Sequence, residues 1–239
     1  MTDTAITPRK HHLLKSIGEI VGIILLVAAA KTAIAEPFYV PSGSMEPTLL
    51  IGDELLATKY PYGYNTSSLP AFVVLPTTER FLGALRKRGD VVVFRWPGDR
   101  ISLHDGRVSI NGKPLDVRPD GTGRSEIEGG SRIPAARFIE TLPGNREHEI
   151  FKLTANNPLD NIPETVVPPD HLFVMGDNRD NSADSRVPVA DGGVGMLPVA
   201  NLVGRVDGIV GSWDLAMKSQ PVWTWPSGFR LSRFFSSVK

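Results

Sequence analysis

The chain has 239 residues, of which 41% are apolar, and this is enough to bury the core of one large or two smaller globular domains. Lys and Arg together number 26, as do Asp and Glu, so the zero net charge gives no electrostatic support to nucleic-acid binding. The absence of cysteine excludes disulfides, thiolate catalysis and cysteine-ligated metals.

A mostly apolar segment occupies residues 17–35. The cations that precede it are Arg9, Lys10 and Lys15. Because cations are retained on the cytoplasmic side, this pattern predicts a cytoplasmic segment over 1–16, a transmembrane signal-anchor helix over 17–35 and an exported part over 36–239.

A cleavable signal peptide is the alternative interpretation of this segment. Its uncharged part, 20–30, is shorter than the ~20 residues of a spanning helix. Ala33-Ile34-Ala35 then offers a small-x-small cleavage site. The ammonium group of Lys31 can extend to the interface, which favours an uncleaved anchor over the whole segment.

Residues 41–49 read Pro41-Ser42-Gly43-Ser44-Met45-Glu46-Pro47-Thr48-Leu49. Gly43 allows a sharp turn and the flanking prolines stiffen it, so the Ser44 hydroxyl is expected at the apex of a loop. A nucleophilic serine also needs a base and a pair of oxyanion donors.

The remaining chain alternates short apolar runs with Gly, Pro, Asn and Asp, which predicts a mainly β fold. A buried strand is expected at 91–94. Asp105-Gly106 and Asn111-Gly112 predict tight hairpin turns. Residues 115–169 are interpreted as a smaller inserted β subdomain, and a strand over 171–175 leads into the next motif.

The loop Gly176-Asp177-Asn178-Arg179-Asp180-Asn181-Ser182-Ala183-Asp184-Ser185-Arg186 is crowded with carboxylates and amides, as calcium loops are. It departs from the calcium-binding loop of helix–loop–helix proteins, because Arg179 occupies a ligand position and Ser182 occupies the position that requires glycine. No glutamate closes the loop, and no metal is expected.

Together, segments 41–49 and 176–186 resemble two signature boxes of the bacterial type I signal peptidases. The resemblance implies an N-terminal transmembrane helix followed by an antiparallel β-sheet catalytic domain. It also implies a single-pass protein of the plasma (inner) membrane, with the catalytic domain on the outer (periplasmic) side. Such enzymes are serine endopeptidases that release exported preproteins from their signal peptides, and they use no cofactor.

By resemblance, Ser44 is the nucleophile, and the Ser42 hydroxyl and the Ser44 N–H form the oxyanion hole. Ser182 matches the serine that orients the base, a lysine in this family. The residues that would brace its loop are Asp177, Arg179, Asp184 and Arg186.

The lysine-bearing box of the family has no counterpart here, because the strand leads straight through Phe94-Arg95-Trp96 into Pro97-Gly98-Asp99. The gap falls near Trp96. Lys87 and Lys59 are weak candidates for the base, and both are otherwise expected to be solvated surface charges. Three hypotheses stay open: an active enzyme with another base, a catalytically inactive homologue that only binds signal peptides, and a non-peptidase exported β protein.

Overall fold

The computed structural model describes residues 9–69, 76, 78, 98–127 and 131–238. Helix α1 is described over Arg9–Ala33. The predicted helix ended at residue 35, but Ala35 already belongs to the first strand. Within the described residues, no helix reaches the length and apolarity that crossing a membrane requires.

Thirteen strands follow the helix in the described residues. They are β1 (Ala35–Tyr39), β2 (Asp53–Thr58), β3 (Arg100–His104), β4 (Arg107–Ile110), β5 (Lys113–Pro114), β6 (Asp116–Glu126), β7 (Arg132–Leu142), β8 (Arg146–Lys152), β9 (Ile162–Val166), β10 (His171–Leu172), β11 (Leu197–Pro198), β12 (Arg205–Ser212) and β13 (Ser236–Ser237). All pairings between them are antiparallel, so the predicted mainly β, antiparallel fold is confirmed.

The strands form four sheets, with the orders β1-β2-β12-β13, β5-β4-β3-β9, β6-β7-β8 and β10-β11. Strands β6–β8 form a sheet of their own within the predicted subdomain range 115–169. Strand β9 lies in the same range but pairs with β3 in another sheet. The division into subdomains therefore stays a prediction.

The hairpin turns follow the local sequence. Asp105 and Gly106 have φ values of 47° and 75°, and Asn111 and Gly112 have 52° and 76°, which is the left-handed conformation that tight turns require. These two turns connect β3 to β4 and β4 to β5, as predicted. The strand expected at 171–175 is shorter, because β10 ends at Leu172. The strand expected at 91–94 lies outside the described residues.

Apolar side chains of the second sheet form a core with residues from the chain that follows it. Its buried members include Ile101, Val108, Ile110 and Phe173. A second core lies under β1, β2 and β12 and includes Val40, Leu55 and Ile209. The loop that carries Ser44 joins β1 to β2 and is therefore next to this second core, against which Met45 packs.

Candidate active site

Ser44 lies in one turn of 3₁₀-helix, Gly43–Met45, in the loop between β1 and β2. Two backbone hydrogen bonds close the base of this loop: the Val40 N–H donates to the Asp53 carbonyl (2.9 Å), and the Gly52 N–H donates to the Val40 carbonyl (3.0 Å). The Ser42 and Ser44 hydroxyl oxygens are 3.3 Å apart. The structure therefore brings together the two serines that the sequence singled out.

Loop 176–186 lies against this turn, and Asn178 joins the two. Its backbone N–H donates to the Ser44 carbonyl (3.0 Å). Its fully buried side-chain amide donates to the Gly43 carbonyl (3.0 Å) and to Ser125 Oγ on β6 (2.7 Å). A single residue therefore binds two carbonyls of the Ser44 turn and joins the turn to β6.

Gly176 marks the closest approach of the loop to the turn. A Cβ atom at this position would lie 2.5 Å from the Ser44 carbonyl oxygen and would also collide with the Ser182 side chain. Real Cβ contacts do not come this close, so only glycine fits. The Ser182 side chain and the Ser44 carbonyl thus both lie against Gly176, and the role of Ser182 in orienting the base stays a prediction.

Two buried arginines brace the loop. The guanidinium of Arg179 binds both carboxylate oxygens of Glu140 on β7, at 3.0 and 2.5 Å. Arg186 binds both carboxylate oxygens of Asp184, each at 2.8 Å, and donates to the Arg179 carbonyl at 2.6 Å. Asp184 also accepts from the Gly176 N–H at 3.0 Å. Such bidentate, charge-assisted bonds fix orientation as well as distance.

Behind this loop, the imidazole of His148 on β8 lies between two carboxylates. Nδ1 is 3.2 Å from Asp177 and Nε2 is 3.0 Å from Glu140. Burial disfavours the imidazolium, but these two hydrogen bonds outweigh burial and raise the pKa of His148 to about 9. Burial likewise opposes ionisation of Glu140, yet the charge of Arg179 and the bond from His148 lower its pKa to about 2.

The sequence offered His148 only as an unfavoured alternative base, and it did not place His148 and Glu140 behind this loop. One signal was present: in β7, Glu140 shares a face with the buried Leu142, so a carboxylate occupies an inward position of the strand. A buried charge of this kind requires a partner. The identity of that partner depends on pairing with β8, where Glu140 lies opposite His148.

Glu46 lies two residues after Ser44 and is also buried. Its carboxylate accepts the Glu126 N–H at the end of β6 (2.9 Å). Burial raises the pKa of Glu46, although this hydrogen bond opposes the effect. The Ser44 turn is therefore attached to β6 through Glu46 as well as through Asn178.

The amino-acid sequence matches the family model described as signal peptidase, peptidase S26, over residues 13–213. The chain belongs to the signal peptidase family. It is 33% identical to Signal peptidase I of Rickettsia typhi over 250 residues, which cover 90% of each chain. It is also 33% identical to Signal peptidase I of Rickettsia massiliae over 255 residues, which cover 92% of this chain and 91% of the relative. These alignments are longer than the 239 residues of this chain, so the relatives carry residues that it lacks.

Lys59 was one of two weak candidates for the base. It is not the solvated charge that the sequence suggested. Its side chain is fully buried; its ammonium forms an ion pair with Glu36 (2.9 Å) and donates to the Ser68 carbonyl (2.7 Å). Lys59 follows the last residue of β2, whereas the Ser44 loop meets the first residue of that strand. Lys59 thus lies about 20 Å along the strand from the end that the Ser44 loop enters. Lys87 and Trp96 lie outside the described residues.

Loop 176–186 resembles a calcium loop in its many carboxylates, but protein groups bind these carboxylates. Asp177 and Asp184 are paired as described above. Asp180 accepts from Lys152 Nζ (3.0 Å) and from the Leu153 N–H (2.7 Å). Across the described ranges there is no group of three or more His, Asp or Glu side chains that could hold a metal ion.

Proposed function

We propose that this chain is a membrane-bound type I signal peptidase that cleaves N-terminal signal peptides from exported preproteins, with Ser44 as the nucleophile. The observation that carries the proposal is the pair of hydroxyls of Ser42 and Ser44, 3.3 Å apart on a turn that Asn178 clamps. Membership of the signal peptidase family supports the same reaction.

In the proposed reaction, Ser44 Oγ attacks the scissile carbonyl as a base removes its proton. The Ser44 N–H and the Ser42 hydroxyl donate hydrogen bonds to the oxyanion that develops. The intermediate expels the new amine, which takes the proton, and leaves an ester on Ser44. Water then hydrolyses the ester with the same base. Ser182 would orient that base, and no cofactor or metal takes part.

The substrate would bind as an additional strand. Among the described strands, β1 lies at one end of its sheet and pairs with β2. Its last two residues, Phe38 and Tyr39, are exposed directly before the Ser44 loop. An extended signal peptide paired with the edge of β1 that faces away from β2 would be carried toward Ser44, since main-chain pairing fixes the direction of a strand.

The proposed location is the plasma (inner) membrane, with residues 1–16 in the cytoplasm and 36–239 on the outer side. The basic residues before the apolar part of α1 support this orientation. Exposed apolar side chains near the C-terminus support a second contact with lipid. They are Val222, Trp223, Leu231 and Phe235.

A catalytically inactive homologue that only binds signal peptides is the second candidate. It is favoured by the missing counterpart of the family lysine near Trp96 and by the alignment of 250 positions, which is longer than the 239 residues of this chain and therefore contains gaps in it. The ion pair of Lys59 with Glu36 argues against Lys59 as a substitute base. Serine hydrolases that lose one catalytic group still accelerate the reaction only ~10³- to 10⁴-fold over the uncatalysed reaction in water.

The deciding experiment is incubation of the full chain in lipid vesicles with a signal-peptide-bearing preprotein. Cleavage that disappears in Ser44→Ala and persists in Ser109→Ala, a matched change on β4, would establish the peptidase. Loss of the same activity in Lys87→Ala or Lys59→Ala would identify the base. Specific crosslinking of the signal peptide without a product would establish the binding homologue. If neither cleavage nor crosslinking is observed, both candidates are overturned.

A further inference from the structure

The sequence Ala33-Ile34-Ala35 has the small-x-small pattern of a signal-peptide cleavage site, and it ends the apolar N-terminal segment. The bond that such a site exposes to a signal peptidase is Ala35–Glu36. The proposed function makes no use of this motif. It raises a separate question, which is how the protein keeps α1 attached to its β domain.

The backbone on both sides of this bond belongs to regular secondary structure or is hydrogen-bonded. Helix α1 continues to Ala33, and β1 begins at Ala35. The carbonyl of Ile34, between them, accepts the Lys59 N–H at 3.0 Å. A peptidase binds its substrate as an extended strand, so cleavage here requires the helix end to unwind and the start of β1 to leave the sheet.

An ion pair holds the residue after the bond in place. Glu36 lies opposite Ala57 in the β1–β2 pairing, and only 7% of it is exposed. Its carboxylate is 2.9 Å from the ammonium of Lys59, which is 0% exposed. The same ammonium donates to the Ser68 carbonyl. When one partner of a buried ion pair is removed, the other is left as an uncompensated buried charge, so the pair makes local opening costly.

Strand β1 has five residues, so it separates Ala35 from the start of the Ser44 loop by about 16 Å of extended chain. While β1 stays in its sheet, we therefore expect a cut at Ala35–Glu36 to come from another enzyme molecule that captures an opened backbone.

We propose that Ala35–Glu36 is a latent signal-peptidase cleavage site and that the Glu36–Lys59 ion pair protects it. The ion pair keeps the start of β1 in the sheet and thereby keeps α1 joined to the domain. The proposal treats the chain as a substrate and does not rest on its having activity of its own. Failure of the proposed function would leave it untouched.

The test uses the full chain in detergent micelles, on a Ser44→Ala background that removes self-cleavage, with an active type I signal peptidase added. Intact mass and N-terminal sequencing read the products. We expect Glu36→Gln and Lys59→Met to release a fragment that begins at residue 36, about tenfold or more faster than the parent chain. Glu164→Gln, which breaks an exposed ion pair with Arg100, should stay as resistant as the parent.

A second substitution shows whether the cut is site-specific. Ala35→Phe, added to either variant, should abolish the fragment because a small residue is required before the cut. If Lys59→Met loses its thermal unfolding transition, Glu36→Gln alone decides. The proposal is overturned if the parent chain is cut at residue 36 as fast as the variants. It is also overturned if folded Glu36→Gln stays intact, or if Ala35→Phe leaves the products unchanged.

Discussion

Protonated His148 should stabilise the protein, and replacing it by glutamine removes that contribution. In the folded state, Asp177 and Glu140 hold the pKa of His148 at about 9, compared with an ordinary value of 6.5. This difference corresponds to about 3 kcal/mol of unfolding free energy. The pKa of Glu140 is lowered by the charge of Arg179 as well as by the bond from His148, so it is not added to this figure.

The direction of the pH dependence follows from the raised pKa. Between about pH 6.5 and pH 9 the folded state holds one proton more than the unfolded state, so the unfolding free energy falls by about 1.4 kcal/mol per pH unit. The contribution of His148 is complete below this range and is lost above it. His148→Gln should therefore be about 3 kcal/mol less stable than the parent at about pH 6 and equal to it at about pH 9.5.

The measurement is denaturant unfolding of the full chain in micelles, followed by tryptophan fluorescence across this pH range. His104→Gln is the matched control, because His104 lies at the exposed end of a hairpin beside Asp105. If the parent and His148→Gln show parallel stability curves from pH 6 to 9.5, the imidazole is not held charged between its two carboxylates.

Three further substitutions test the contacts around the nucleophile turn. Gly176→Ala should cost about 2 kcal/mol of stability and abolish any Ser44-dependent cleavage, since the added methyl group displaces Ser182. Asn178→Ala should lower the unfolding free energy by about 2 kcal/mol, because two buried hydrogen bonds are lost. Glu46→Gln should be more stable than the parent at pH 7, where burial disfavours the carboxylate, and equal to it below about pH 4, where the parent is protonated.

Each of these substitutions has its own contradicting result. Full preprotein cleavage by folded Gly176→Ala would contradict the close approach of the two loops. Asn181→Ala is the control for Asn178→Ala, since the side-chain amide of Asn181 donates only a long bond, 3.4 Å, to the Glu126 carbonyl within the described residues. Equal losses of stability in the two variants would show that Asn178 does not bridge the two loops. A pH-independent difference between Glu46→Gln and the parent would show that the Glu46 pKa is not raised.

The turns and the strand class of this fold could be predicted because they depend on neighbours in sequence. Asp105-Gly106 and Asn111-Gly112 specify their own backbone conformation, and both hairpins form as predicted. The meeting of 41–49 with 176–186 could not be derived from local pattern; it followed from the resemblance to a known family. The structure then supplied the contact that explains the meeting, which is the bridge through Asn178.

Charged residues were the least predictable part of the site, because their environment depends on strand register. Lys59 was expected to be solvated, but it continues the inward alternation of Asp53, Leu55 and Ala57 and is buried. Its partner Glu36 comes into reach only when β1 pairs with β2. His148 and Glu140 likewise meet only through the pairing of β7 with β8, so neither ion pair could be assigned before the sheets were known.

The hydrogen bond from Asn178 to Ser125 makes the Ser44 turn depend on a sheet that carries neither Ser42 nor Ser44. The main chain of Phe151 on β8 also bonds to Asp177 and Arg179, so the same sheet holds the loop along its length. Heat that loosened strands β6–β8 would misalign the two hydroxyls while the sheet beneath them was still intact. Thermal inactivation should then precede the loss of bulk secondary structure, and the melting of this sheet would set the upper working temperature of the protein.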